Sequence, residues 1–143
     1  MEISINIFCL LLFLLTLQFC MTQNVVHAKV HVRVVNQLGN GQSMILHCRS
    51  RDDDLGNVVL EDGKEMEWSF SVNFLGTTLF YCDVRWGLSS STSSNWYSFD
   101  AYDEGRDYAR CRSECRWRVS NERSLYGYDQ RCERWVLFPL TRK

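Results

Sequence analysis

The amino-acid sequence predicts an all-β fold, a small disulfide-linked β-sandwich of about seven or eight strands. Three observations carry that prediction. Apolar side chains recur at every second position in several short runs, the pattern of strands that bury one face. Clusters of Gly, Asn and Asp separate those runs at short intervals. The chain also has 7 cysteines in 143 residues, as disulfide-stapled secreted domains do.

The chain opens with an unbroken apolar run from Ile7 to Leu15, and apolar character continues through Leu17 and Phe19. A spanning helix needs roughly 20 apolar residues, so the run reads as the hydrophobic region of a secretory signal peptide, with no stable membrane insertion. No Lys or Arg precedes it and Glu2 opposes the α-amino charge; an N-terminal anchor is the alternative. The signal peptide is expected to cover 1–28, cut after Val26-His27-Ala28 or as early as 20 to 22, leaving one domain over 29–143. The product is expected outside the cell.

In the first strand Val30, Val32 and Val34 point one way, with Lys29, His31 and Arg33 opposite. The turn Gly39-Asn40-Gly41 follows, and the next strand ends at His47-Cys48. Asp52, Asp53 and Asp54 then form a charged turn closed by Leu55-Gly56, because Asp hydrogen-bonds nearby N–H groups and Gly accepts a positive φ. After Asp62-Gly63, the clearest apolar face is Met66, Trp68, Phe70 and Val72, backed by Glu65, Glu67, Ser69 and Ser71. Beyond Gly76, Phe80, Cys82, Val84 and Trp86 alternate with Tyr81, Asp83 and Arg85. Ser89 to Ser94 is too short to link domains and reads as a loop. Tyr97, Phe99 and Ala101 make another strand, Asp103-Glu104-Gly105 a turn, and Cys115, Trp117 and Val119 a strand against Arg116 and Arg118. Pro139, the single proline, suits an edge strand. No window of useful length carries a helical apolar stripe.

Five tryptophans and many Phe and Val supply a sufficient core, at roughly 25 cal/mol per Å² of apolar surface buried. From Lys29 onward there are 16 basic and 16 acidic residues, distributed unevenly: seven acids and two bases between Arg51 and Glu67, ten bases and five acids from Arg106 onward. Near-zero net charge argues against a nucleic-acid partner.

The residues favour no reaction centre. The acids at 52–54 fail the calcium-loop pattern, because Asn57 stands at position six and Gly63 at position twelve. There is no G-x-S-x-G or H-E-x-x-H motif. His31 and His47 fall on outward strand faces, and alternation sends His47 and Cys48 to opposite sides, so a thiol–imidazole pair would not form. The chain is therefore read as a non-enzyme without cofactor or metal. It has no N-x-[ST] sequon.

Without the leader five cysteines remain: Cys48, Cys82, Cys111, Cys115 and Cys132. In an extended strand Cys111 and Cys115 would lie roughly 13 Å apart, too far to bridge each other unless the intervening residues turn sharply.

The segment His47-Cys48-Arg49-Ser50-Arg51-Asp52-Asp53-Asp54-Leu55-Gly56 resembles a signature of the plant self-incompatibility protein family, the S-protein homologues. The resemblance continues through Glu67-Trp68-Ser69-Phe70, Leu79-Phe80-Tyr81-Cys82, Phe99-Asp100-Ala101-Tyr102-Asp103, Cys111-Arg112-Ser113-Glu114-Cys115-Arg116-Trp117 and Leu125-Tyr126-Gly127-Tyr128-Asp129. It implies two bridges among Cys48, Cys82, Cys111 and Cys115, with Cys132 the candidate odd thiol; Cys132 displacing one of the four is the open alternative, and connectivity is not fixed. It also implies a secreted cell–cell signalling ligand, acting in pistil–pollen recognition or a related role and recognised by a membrane receptor on a target plant cell. The alternative is a secreted defence or carbohydrate-binding protein using Trp96, Tyr102 and Tyr108 as an aromatic platform. Recognition usually lives on loops, and two charged segments are the candidates: Asp52, Asp53 and Asp54, and the loop containing Asp103, Glu104, Arg106, Asp107 and Arg110.

Overall fold

The computed structural model describes residues 29–87 and 96–143, together with residues 7, 9, 10, 13 and 14. The expected cleavage region at 20–28 and the serine loop at 89–94 lie outside the described residues. Residues 7, 9, 10, 13 and 14 have helical backbone, and no helix among the described residues is long and apolar enough to cross a membrane.

Among the described residues from Lys29 onward, ten strands and one short helix follow one another: β1 (Lys29–Gln37), β2 (Met44–Arg49), β3 (Asp54–Leu60), β4 (Glu65–Ser71), β5 (Leu79–Trp86), β6 (Tyr97–Asp103), α1 (Glu104–Arg110), β7 (Glu114–Ser120), β8 (Ser124–Asp129), β9 (Arg134–Phe138) and β10 (Thr141–Arg142). They form two five-stranded sheets, ordered β4-β1-β7-β8-β9 and β10-β6-β5-β2-β3. The β1–β7 pairing is parallel, whereas β1–β4, β2–β5, β5–β6, β7–β8 and β8–β9 are antiparallel.

The sandwich class matches the alternation, but the strand count exceeds it for two physical reasons. β3 is an edge strand in which only Leu60 is buried, so its sequence shows no clean period. On β8 the inward positions are Leu125, Gly127 and Asp129, and a Gly and an Asp hide a buried face. Pro139 falls between β9 and β10, where no ladder N–H is required.

The core lies between the sheets. Val32, Val34, Trp117 and Val119 from one sheet meet Leu46, Cys82, Val84 and Ala101 from the other, all fully buried. Trp117 locks the layers together, since its indole N–H donates to the Ala101 carbonyl at 2.7 Å and its ring packs on Phe99 and Phe138. A buried amide closes one end. Asn36 donates from Nδ2 to the Gln42 and Leu60 carbonyls at 2.8 and 2.9 Å and accepts the Leu38 N–H, so its burial leaves no polar atom unmatched.

Candidate recognition surface

Strand register gathers the candidate segments at one end of the sandwich. Cys48 faces Cys82 across β2 and β5, with Arg49 opposite Tyr81, so the turn after β2 lies beside the start of β5. Leu79 at that start pairs with Asp103 at the end of β6. Ser71, which leads into the β4–β5 connection, pairs with Lys29, and His31 pairs with Glu114 at the start of β7. The β8–β9 hairpin joins them, since Gln130 Nε2 donates to the Glu114 carbonyl at 3.2 Å. Both disulfides, Cys48–Cys82 and Cys111–Cys115, sit at this end, as does Cys132, exposed and without a disulfide partner.

The pairing of Cys111 with Cys115 follows from a tight turn. Arg112 adopts φ 47°, and the Glu114 N–H donates to the Cys111 carbonyl at 2.9 Å, which brings the two Cα atoms to 4.9 Å. The extended geometry that would hold them apart does not occur. Asp107 approaches the same two sulfurs, but both are consumed in the disulfide, which leaves no thiolate to ligate a metal.

In the acidic turn the side chains divide by role. Ser50 Oγ accepts the N–H groups of Asp52 and Asp53 at 3.2 and 3.0 Å, and the Ser50 N–H donates to the Asp53 carbonyl at 2.8 Å. Asp54 starts β3, accepts the Gly56 N–H at 2.9 Å and meets His47 Nε2 at 2.6 Å. The Gly56 N–H, then His47, holds the Asp54 carboxyl below its ordinary range. Gly56 has φ +71°, the conformation that glycine makes accessible. All three acids are exposed, but Asp54 is tied into the turn's construction by Gly56 and His47.

The segment from Asp103 to Arg110 is not the loop that its charge suggested; residues 104–110 form α1. Asp103 caps it, accepting the Arg106 N–H at 3.0 Å. Asp107 is fully buried and Arg110 is 3% exposed, a correction to their expected place on an outward surface. Asp107 Oδ1 accepts from Arg106 Nε at 2.9 Å and Arg110 Nε at 2.6 Å, while Oδ2 accepts from Arg106 Nη2 at 2.6 Å and the Asp103 N–H at 2.9 Å. Burial pushes the Asp107 carboxyl up, but these hydrogen bonds from Arg106 and Arg110 outweigh it and hold the group below its ordinary range. Sequence reasoning missed this because a charged run looks like a solvated face. Glu104 stays partly exposed and Tyr108 is exposed.

The aromatic trio is also split. Tyr102 is buried, and burial, then the charges of Glu104, Asp107 and Asp103, pushes its hydroxyl up to about 12; it belongs to the core. Trp96 lies under Arg85, 4.9 Å from the ring centre, and Tyr108 alone is highly exposed.

A feature the sequence reading did not single out covers the outer face of the first sheet. Arg116 lies over Tyr128 at 4.3 Å, and Arg118 over Trp135 at 4.2 Å and Tyr126 at 5.1 Å. Their alternation with Trp117 and of Tyr126 and Tyr128 with Gly127 was the available signal. This stacking of guanidinium on aromatic faces stiffens the β7–β8–β9 corner.

Comparison with known proteins agrees with this architecture. Residues 31–138 match the family described as Plant self-incompatibility protein S1. The chain is 40% identical over 114 residues to Self-incompatibility protein S1 of Papaver rhoeas, covering 80% of this chain and 78% of that protein. It is 38% identical over 96 residues to S-protein homolog 2 of Arabidopsis thaliana, covering 64% of this chain but 56% of that longer relative. A solved SPH (self-incompatibility protein homologue) structure, from a family described as small, highly stable, secreted plant proteins, superposes with TM-score 0.59 over 82% of this chain and 97% of that one, at 17% identity.

Proposed function

We propose, because this chain belongs to the plant self-incompatibility protein S1 family, that it is a secreted, non-enzymatic cell–cell signalling ligand recognised by a membrane receptor on a target plant cell. The observation that carries the reading is the alignment to Self-incompatibility protein S1 across four-fifths of this chain. Pistil–pollen recognition or a related signalling role is the proposed setting.

The geometry supports a ligand over an enzyme. His31 and His47 face outward and pair with Glu67 and Asp54, and Cys48 beside His47 is committed to a disulfide. The proposed contact surface is the disulfide end, where two covalent staples fix several neighbouring loops. Preorganised loops lose less freedom on binding. The proposed domain is 29–143, released after a leader cut at 20 to 28.

The test is binding of labelled, processed protein to plant cell surfaces, pollen among them, with unlabelled protein as competitor. Saturable, competed binding is expected. Binding that free sugars release would favour a lectin-like protein instead.

A further inference from the structure

Six large apolar side chains of the 29–143 domain are exposed among the described residues, and four belong to one neighbourhood: Phe74 at 95%, Leu75 at 79%, Leu79 at 40% and Tyr108 at 74%. Phe74 and Leu75 form the tip of the β4–β5 connection, which crosses from one sheet to the other. Leu79 opens β5, opposite Asp103. Tyr108 follows Glu104 by one helical turn, which places both on the same face of α1.

This tip is built, not slack. Asn73 Oδ1 accepts the Thr77 N–H at 2.9 Å, Asn73 Nδ2 donates to Thr77 Oγ1 at 3.0 Å, and the Asn73 N–H donates to Thr78 Oγ1 at 2.7 Å. The Gly76 N–H donates to the Asn73 carbonyl at 3.2 Å, and Gly76 has φ +69°, so the bend requires a residue tolerant of that region. The loop is then tied to α1: the Thr78 N–H donates to Glu104 Oε2 at 3.3 Å and the Glu104 N–H to the Thr78 carbonyl at 3.1 Å. A hydrogen-bonded frame thus holds an adjacent Phe and Leu in water. Scattered single apolar residues on a surface are ordinary, whereas a clustered set marks a contact site.

We infer that Phe74 and Leu75 form a preorganised apolar anchor that inserts into an apolar pocket of a protein partner whose rim carries a basic side chain. This deepens the ligand reading above and rests on it. The charge beside the tip selects the occupant. Glu104 lies against the loop, 3.9 Å from where a Cβ on Gly76 would stand, and makes no ion pair among the described residues. Apolar tips that enter lipid surfaces are flanked by Lys and Arg, which anionic headgroups attract; a carboxylate held at the tip without a cationic partner opposes a membrane and suits a basic protein rim. Phe is also among the side chains enriched at the cores of protein interfaces.

The experiment uses labelled processed protein and three probes: plant plasma-membrane vesicles, the same vesicles after protease treatment, and protein-free phosphatidylcholine–phosphatidylserine vesicles. Wild type is compared with Phe74→Ser/Leu75→Ser, with Glu104→Gln, and with Val59→Thr, an exposed apolar control on β3. The expected result is saturable, protease-sensitive binding by wild type and Val59→Thr. The tip double variant should lose more than tenfold in affinity with an unchanged thermal midpoint. Glu104→Gln should bind more weakly and with reduced salt dependence. Wild-type binding that the tip variant retains in full would overturn the anchor while leaving the ligand reading standing. Equal binding to protein-free vesicles would overturn the protein partner. Absence of saturable wild-type binding to any membrane would sink the ligand reading and the anchor with it.

Discussion

The Arg110 guanidinium lies 4.5 Å from the centre of the Trp117 indole, with both side chains buried. Phe138 flanks the same guanidinium at 5.1 Å, and Arg110 Nη1 donates to the Tyr128 carbonyl at 2.8 Å. The stack couples α1, β7, β8 and β9 in one packed unit, and Gly127 makes room for it.

A Cβ on Gly127 would stand 2.7 Å from Trp117 Cζ3, 2.9 Å from Arg110 Nη1 and 2.9 Å from Phe138 Cε2. Gly127→Ala should therefore destabilise the domain by about 1–3 kcal/mol or more, as overpacking does. A thermal midpoint several degrees lower is expected, and an unchanged midpoint would show that the stack moves freely aside.

Asp107 sets the response to acid. Its carboxyl is held below the ordinary range by Arg106 and Arg110 despite burial, so its stabilising contribution is fully present above the unfolded value of about 4 and disappears as pH falls through the lowered folded value. Asp129, with Arg131 as the main cause, is pushed down to about 2 and adds to the same trend. The thermal midpoint should stay level from about pH 8 to pH 5 and fall below about pH 4. A steep fall between pH 7 and 5 would contradict this. Asp107→Asn should cost roughly 3–5 kcal/mol, because it leaves the buried Arg110 charge without its counter-ion.

The acidic turn should separate by residue. Asp54→Asn weakens a group that accepts from Gly56 and His47 and should lower the thermal midpoint. Asp53→Asn touches an exposed side chain whose one hydrogen bond among the described residues comes from Ser50 Oγ at 3.4 Å, and should leave stability unchanged. Weakened, salt-sensitive cell-surface binding by Asp53→Asn would place that acid in the contact, whereas normal binding would confine the turn to a structural role.

Strands whose two faces differ in polarity were legible in the sequence. The Val30, Val32, Val34 and Met66, Trp68, Phe70 patterns both became core-facing strands. β3, β8 and β9 were not, since edge exposure and an inward Gly127 and Asp129 erase the period. The charged run at 103–110 concealed a helix whose acid and base neutralise each other inside the protein, a relationship set by tertiary packing. The sequence reading did not single out Phe74 and Leu75, because only the fold shows that these two side chains leave the core.

The claim that recognition occupies the disulfide end is tested most directly by blocking one end at a time. Cys132 is an exposed thiol at that end, and Glu122 is exposed in the β7–β8 turn at the other. The processed protein should show one alkylatable thiol, at Cys132, and attaching polyethylene glycol there should abolish competed binding to plant cell surfaces. The same polymer on a Glu122→Cys/Cys132→Ser variant should leave binding intact. Binding that survives the block at Cys132 and is lost with the block at position 122 would contradict the account.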